Sequence, residues 1–387
     1  MKLYYIAVEP LTPLRVGGIK PKNDFLNTLN YIPGSVLRGT LAEWLKTKKR
    51  EDMILPQVQR MRFGNLFPAN ARAHFALPVP FTALECKLHG GFTREGGHGV
   101  RDSLLVALAY KELERSGARF PIPMAFRCKN CSGRMERISG FCVRTPEGWC
   151  KTGVPLYPQT KVALSRTRRT AQEGMLYRVF GIPPVEGLVF SGRIWAEEDS
   201  DVELLKEAVE YLGIGAMTTR GFGKVRFKQK PNSYPPLEER LCRFNETLQR
   251  VWEDLAELAA QASRAPLRKP QGTYFSVDLL SPGIFQDTYG LPSLVPHLPI
   301  EGKKVELVFH ATQPTFSGGW STAWGLPKPT ALAAAPGSTY VFRTDIPLEE
   351  LVPLLEEIEN QGLGKRTPEG FGEITICHPL HEEVMPV

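Results

Sequence analysis

The 387-residue chain has no apolar run near the roughly 20 residues that a membrane-crossing helix needs, and no secretory leader stands before its first strand-like segment, Lys2 to Val8. A cytoplasmic protein with no membrane partner is the expectation. Catalytic constellations are equally scarce. His-Glu-x-x-His is absent, no Ser-His-Asp or Cys-His order stands out, and none of the seven histidines precedes His74. Cysteine is sparse and odd in number, at seven, so a disulfide framework is not the reading; the single Cys-x-x-Cys of a cytosolic chain points to a metal first. Charge is not strongly one-sided, yet 48 Lys and Arg against 41 Asp and Glu leave a formal +7 at pH 7, an excess that favours a polyanionic partner. With 42% hydrophobic and 23% charged residues over this length, two globular domains, each burying its own core, are expected.

What the chain does have is one unusual sentence written twice. Gly213-Ile214-Gly215, five residues, then Gly221-Phe222-Gly223 is matched by Gly362-Leu363-Gly364, five residues, then Gly370-Phe371-Gly372. Each copy follows an amphipathic stretch and runs into an alternating segment, Lys224 to Phe227 or Glu373 to Ile376, so the unit is helix, glycine loop, strand. A dinucleotide fingerprint and a P-loop both need the reverse order, a strand before the glycines and a helix after them, and both are excluded. Glycines at a helix end act as left-handed caps; the second pair can also leave backbone amides open to a phosphodiester chain. Thr218, Thr219, Arg220 and Lys224 in one copy, and Lys365 and Arg366 in the other, favour the backbone-gripping reading.

The order of elements suggests an α+β, ferredoxin-like sheet with helices on one face. Ser35 is placed as the cap of a helix carrying Val36, Leu37, Leu41, Trp44 and Leu45, and the Gly-, Pro- and His-rich residues 64 to 100 read as irregular insertion. The expected organisation is a first domain over 1–230 with a cysteine-bearing insertion at about 64–155, a linking helix and linker over 231–272, and a second domain over 273–387. Leu241, Phe244, Leu248, Val251, Leu255 and Leu258 form the single stripe of that linking helix.

Four groups carry candidate chemistry. Lys161, Arg166, Arg168 and Arg169 form a basic knot with no acid from Thr160 to Ala171, a density that suits a phosphate track; Arg15, Lys20 and Lys22 flank the Gly17-Gly18 turn and can join it. Cys128 and Cys131, followed by Gly133, have the shape of a zinc knuckle, with Cys86 as third ligand and the fourth from Cys142, Cys150 or His98. A closed site of that kind is structural and pins an insertion without a core of its own. Trp320, with Lys328 after it, is a candidate for base stacking, whereas Trp324 reads as packing. Asp24, in the loop before Tyr31, is either a turn residue or a group that activates a ribose hydroxyl or holds a metal.

The runs Tyr31 to Gly39, Leu164 to Tyr177 and Gly213 to Gly223, then Gly318-Gly319-Trp320, Pro327-Lys328-Pro329, Ala335 to Tyr340 and Gly362 to Gly372, together resemble the RAMP superfamily of CRISPR-associated proteins over nearly the whole chain. The two halves with a cysteine-bearing insertion look most like the double-RAMP subunit of type III-D effector complexes. That resemblance implies two modified RNA-recognition-motif folds and a place in an RNA-guided complex, holding the 5′ handle of the guide RNA (crRNA) beside neighbouring RAMP proteins and the large subunit. It implies that the two glycine loops grip guide phosphates and that Arg38 and the Arg166 to Arg169 knot face the RNA. Relatives that form the backbone of such complexes cut target RNA with a loop aspartate, and Asp24 occupies a comparable stretch. Three readings follow: a non-catalytic RNA-binding scaffold, an endoribonuclease acting on target RNA through Asp24, and a zinc-stabilised subunit that contacts proteins alone.

Overall fold

A computed structural model describes residues 1–17, 28–120, 124–165, 167–260, 267–300, 302–321 and 325–384. In the N-terminal half, β1 (Lys2–Pro10), β2 (Met61–Asn70), β3 (Leu188–Ala196) and β4 (Val225–Lys230) pair antiparallel in the order β4-β1-β3-β2. With α1 (Gly34–Thr47) between β1 and β2, and α2 (Asp199–Leu212) between β3 and β4, this is the ferredoxin-like βαββαβ arrangement. Ile6 and Val8 of β1 pack with Leu37, Leu41 and Trp44 of α1 and Leu205 and Val209 of α2.

Two details differ from the sequence reading. Ser35 lies inside α1, and the helix start is satisfied from a distance, by Asn65 Oδ1 of β2 accepting the Gly34 amide at 2.9 Å. Residues 64–70, read as irregular, are the greater part of β2. That strand is buried on both faces, so the apolar-polar alternation that identifies a half-exposed strand is missing, and Gly64 and Pro68 disguise it further.

The C-terminal half repeats the sheet with α3 (Leu237–Ala260) placed ahead of it. Here β5 (Thr273–Leu279), β6 (Val305–Ala311), β7 (Thr339–Thr344) and β8 (Ile374–Ile376) run in the order β6-β7-β5-β8, with α4 (Leu348–Gln361) between β7 and β8. The strand order is that of the first sheet. Leu241, Phe244, Leu248 and Val251 of α3 are buried, whereas Leu258, assigned to the same stripe, is 59% exposed and its neighbour Ala259 takes the buried place.

The segment between β2 and β3 serves both halves. Its helix, Leu104–Arg115, sends Leu104, Leu108 and Leu113 into one core with α3 and the second sheet. Its strands Phe75–Pro78, Phe141–Thr145 and Gly148–Thr152 instead bring Phe75, Leu77, Phe141 and Trp149 together with Ala7, Phe67 and Val189, on the side of the first sheet away from α1 and α2.

A buried charge cluster joins the halves. Arg193 of β3 pairs with Glu373 (3.1 Å) and Glu359 (3.3 Å) and donates to Ile374 O at 2.7 Å. Arg240 of α3 takes the other oxygen of Glu359 at 2.8 Å, and Arg62 of β2 donates to the carbonyls of Glu359 and Asn360 at the end of α4. Burial alone would neutralise Glu359, but Arg240 and Arg193 hold its carboxyl below the usual range. A second staple runs from the insertion to the C-terminus: His381 Nδ1 meets Asp102 at 2.8 Å and Nε2 meets Asp278 at 3.0 Å, all three buried. Burial opposes the charge on His381, yet Asp278 and Asp102 raise it from its ordinary 6.5 to about 10.

Arg193→Met leaves the buried Glu373 carboxylate without its cation and Glu359 with Arg240 alone, and should cost about 3–5 kcal/mol by denaturant titration, whereas Lys206→Ala, at an exposed i,i+3 pair with Glu203, should stay within about 0.5 kcal/mol. The His381 contribution is complete below pH 6.5 and is lost as pH rises toward 10, because the folded ring holds its proton longer than the unfolded one. Unfolding stability measured across that window should therefore fall with pH, and His381→Gln should flatten the decline; an unchanged slope would refute the charged-histidine assignment.

Candidate nucleic-acid interface and metal centre

The two glycine loops are the same object. Gly213 N donates to Val209 O, Ile214 N to Gly223 O, Ala216 N to Arg15 O and Gly223 N to Pro13 O; their counterparts are Gly362 N to Ile358 O, Leu363 N to Gly372 O, Lys365 N to Ile284 O and Gly372 N to Pro282 O. Lys224 N on Thr12 Oγ1 (2.9 Å) is mirrored by Glu373 N on Ser281 Oγ (2.7 Å). Even the non-glycine residue forced into positive φ recurs, Met217 at 67° and Arg366 at 62°. A Cβ on Gly215 would lie 2.3 Å from Arg15 O, and one on Gly364 2.5 Å from Ile284 O, so glycine is required by the packing of each loop on the turn after the first strand of its sheet. This corrects the sequence reading in part: the amides of Gly213, Gly223, Gly362 and Gly372 are consumed within the fold and are not open to a ligand. The repeated Leu-Thr-Pro and Leu-Ser-Pro at Leu11 and Leu280 is the sequence signal of the shared turn that the glycine spacing alone does not reveal.

A hairpin stands beside each loop. Tyr157–Leu164 pairs with Ala171–Gly181, and Pro314–Ser321 with Leu326–Ala334; each is anchored to the shared turn by a two-bond bridge, Leu14 with Ile182 and Gly283 with Ala334. The first hairpin carries Lys161, whose Nζ is 5.0 Å from the Phe222 ring centre in the first glycine loop, and the exposed Arg168 and Arg169 near its tip. Thr218, Thr219, Arg220, Gly221 and Lys224 are exposed on the neighbouring loop. Arg226 and Lys228 on β4 are neutralised by Glu9. Among the described residues, no carboxylate pairs with Lys161, Arg168, Arg169, Arg220 or Lys224, nor with the half-buried Arg15 and Arg38, whose Nε atoms have no partner. Burial lowers the pKa of Arg15.

The second loop has a different fate. It is docked on the N-terminal half: a Cβ on Gly370 would lie 2.8 Å from Phe63 O, and Glu373 accepts the Asn65 amide at 3.0 Å. Arg366 and Lys328, both assigned to RNA from the sequence, are tied to Glu369, at 2.8 and 2.6 Å. Burial opposes the charge on Glu369, but those two cations hold its carboxyl at about 2. Lys365 is exposed and outside this pairing. Lys20, Lys22, Asp24, Arg166 and Trp324 lie outside the described residues, as does the side chain of Trp320.

The cysteine site assembles. The ligand atoms of Cys86, His98, Cys128 and Cys131 all lie within 4.8 Å of one another, with Cys86 Sγ 3.5 Å from Cys131 Sγ and Cys128 Sγ 3.4 Å from His98 Nδ1. A tetrahedral ion with bonds of about 2.3 Å to sulfur and about 2.0 Å to nitrogen spaces its ligand atoms roughly 3.5–3.8 Å apart, so these four residues can hold a metal ion. The fourth residue in reach is His98; Cys142 is buried with its thiol on the Leu77 carbonyl, and Cys150 sits on the next strand. Burial pushes the Cys128 thiol up, but the Asn130 and Cys131 amides and the His98 ring outweigh it and bring it down to about 6, toward the thiolate that a metal requires. The His89 ring lies beside His98, with ring centres 4.3 Å apart and planes tilted by 35°.

A family model described as the RAMP superfamily matches residues 7–226, more than half of the chain. The chain belongs to the RAMP superfamily. A second model, CRISPR-associated protein (Cas_Cmr3), matches residues 158–379 of this RAMP protein, so the two matches together span both halves. No curated protein matches it. Among solved structures it is similar to a chain of a type III-B Cmr-beta complex bound to cognate target RNA and AMPPnP, at 11% identity and a TM-score of 0.41, covering 92% of this chain and 90% of that one. It is also similar to a chain of a Csm3-Csm4 subcomplex of the type III-A interference complex, at 14% identity and a TM-score of 0.36, covering 89% and 95%. Among the described residues, no helix is long and apolar enough to cross a membrane.

Elemental analysis of the purified RAMP protein should find about one divalent ion per chain, lost in Cys128→Ser and retained in Cys142→Ser. Retention in Cys128→Ser would refute the ligand set.

Proposed function

We propose that this RAMP protein is a non-catalytic, RNA-binding subunit of a type III CRISPR effector complex that holds the 5′ handle of the guide RNA. The observation that carries the reading is the unneutralised cation face of the N-terminal half, where Lys161, Arg168 and Arg169 of the hairpin stand with Arg220 and Lys224 of the first glycine loop. Arg and Lys at this density, with the hydroxyls of Thr218 and Thr219 between them, suit a sugar-phosphate backbone, which fixes position without reading sequence. Membership of the Cas_Cmr3 family supports the CRISPR assignment; the III-D subtype rests on sequence resemblance. Other effector subunits and the target RNA are the partners this reading implies. Arg15 and Arg38 join the RNA face in it, and Lys20, Lys22, Arg166 and Trp320 extend it. The metal is zinc in this reading, because three thiolates and one imidazole form a closed tetrahedral set that suits it and leaves no open position for chemistry.

Binding of the full chain to a labelled guide RNA, against one with a scrambled handle and across a salt series, tests the proposal. Affinity should fall with salt, and the double variant Arg168→Ala, Arg169→Ala should make the slope of log affinity against log salt shallower by about 1.4. Cleavage of target RNA that disappears in Asp24→Ala would replace the scaffold with an endoribonuclease. An RNA affinity untouched by the double variant would leave the protein-interaction reading.

A further inference from the structure

The metal-bearing turn has a surface that its pinning role does not explain. Cys128 N donates to Gly133 O (2.8 Å) and Ser132 N to Cys128 O (2.7 Å), folding residues 128 to 133 into a tight knuckle, and Arg127 bridges Arg134 across its base. Lys87 N donates to Arg134 O at 3.0 Å, so the chain leaving Cys86 lies alongside. This brings Lys87, Arg127, Lys129 and Arg134 to one exposed tip. Among the described residues no carboxylate pairs with any of the four. The nearby acids are largely committed: Glu85 accepts the Gly91 amide and faces Lys151, and Glu95 accepts the amides of Phe92 and Lys151, leaving Glu136 as the exposed exception. Leu88, beside Lys87, is 69% exposed. Three thiolates around a divalent ion leave one net negative charge, which the four cations outweigh.

The tip also has a fixed place. Phe81 N donates to Gly337 O at 2.8 Å, which ties the strand leading to Cys86 to the turn that follows the C-terminal hairpin, and Arg137 lies 5.9 Å over the Phe81 ring. The strand that runs into Cys86 thus starts from the C-terminal half, whose own cations Arg366 and Lys328 are consumed by Glu369.

We infer that the metal knuckle is a second nucleic-acid contact of this protein, in which Lys87, Arg127, Lys129 and Arg134 bind an RNA phosphate backbone on the C-terminal side. The metal therefore holds an RNA-binding surface in shape in addition to pinning the insertion. The inference rests on the RNA-binding reading above but uses residues separate from its cation face. Four cations converging without counter-carboxylates favour a dense, uniform line of anions over the sparser charges of a protein surface.

The test is titration of the full, metal-loaded chain with a short single-stranded RNA of mixed sequence across a salt series, with crosslinked peptides mapped. The triple variant Lys87→Ala, Lys129→Ala, Arg134→Ala should keep its metal and its Tm and make the salt slope shallower by about 2. Crosslinks to Lys87–Leu88 or Arg127–Arg134 should vanish, and the charge-keeping variant Lys87→Arg, Lys129→Arg, Arg134→Lys should restore them. Chelation should remove the same increment of slope as the triple variant. If the triple variant binds like the parent while Arg168→Ala, Arg169→Ala weakens binding, the knuckle assignment falls and the RNA-binding reading stands. If neither set of changes matters, both fall. Competition by polyglutamate as effective as RNA at equal charge would assign the tip to an acidic protein segment and overturn the inference.

Discussion

The arrangement of this protein depends on a handful of charges sealed between its halves. Arg62 and Arg193 project from the first sheet, Arg240 from α3, and Glu359 and Glu373 from either side of the second glycine loop. Taking such groups out of water costs several kcal/mol each, and the attraction between them recovers it only when nearly every donor and acceptor is used. Most are used here: Thr375 Oγ1 and Arg240 reach Glu359, Asn65 N reaches Glu373, and the Arg193 and Arg240 guanidinium groups also find the carbonyls of Ile374 and Ile376. Apolar packing tolerates sliding; a network of this kind does not, because a shift of about an ångström leaves a buried charge unpaired. The halves are therefore fixed in one relation, and every surface built from both inherits that relation.

The same cluster explains why two identical loops have different uses. Position for position, Glu373 stands where the first loop has Lys224, and Glu369 closes a loop whose counterpart carries no acid. The acids draw the second loop inward, onto Arg193, Asn65 and the strand at Phe63, and neutralise Arg366 and Lys328 on the way. The first loop, with Arg220 and Lys224 and no such acid, stays at the surface. One backbone design thus serves once as an internal plug and once as an exposed, positively charged turn, and the two copies differ in the acids at 369 and 373.

Much of this was legible in the residues. Four glycines at fixed spacing marked both loops and the helix-loop-strand order; the Cys-x-x-Cys and Cys86 marked three of the four residues of the cluster that could hold a metal; the acid-free stretch around Arg168 marked the basic hairpin. The failures have physical causes. β2 carries no alternation because both its faces are covered, and the cap of α1 comes from Asn65, thirty-one residues away, where no local pattern reaches. Lys328 looks like a free cation in sequence because Glu369 approaches it only through tertiary structure, whereas the Arg366 pair with Glu369, three residues on, is local and was open to the sequence reading. His98 could not be preferred over Cys142 or Cys150 without knowing that Leu77 and its strand bury the Cys142 thiol.

Covering of the first sheet also constrains how RNA can approach. RNA-recognition motifs stack bases on aromatic side chains presented by an open sheet face. In this chain one face of the first sheet is filled by α1 and α2, and on the other Phe67, Ala7 and Val189 are sealed under Phe75, Leu77 and Phe141 of the insertion and Leu280 and Leu380 of the second half. Among the described residues no aromatic platform is left there, so in the RNA-binding reading the edges and protrusions of the sheet make the contact. The exposed chemistry is concentrated in those places: Leu164 and Leu176 of the basic hairpin are 65% and 68% exposed beside its arginines, and the first glycine loop stands at its base. Apolar side chains held out at a hairpin with cations around them can lie against bases while the cations take the phosphates. In the proposed reading the ferredoxin-like sheet is a rigid support whose loops make the contact, and the insertion covers the sheet face that an RNA-recognition motif would otherwise offer.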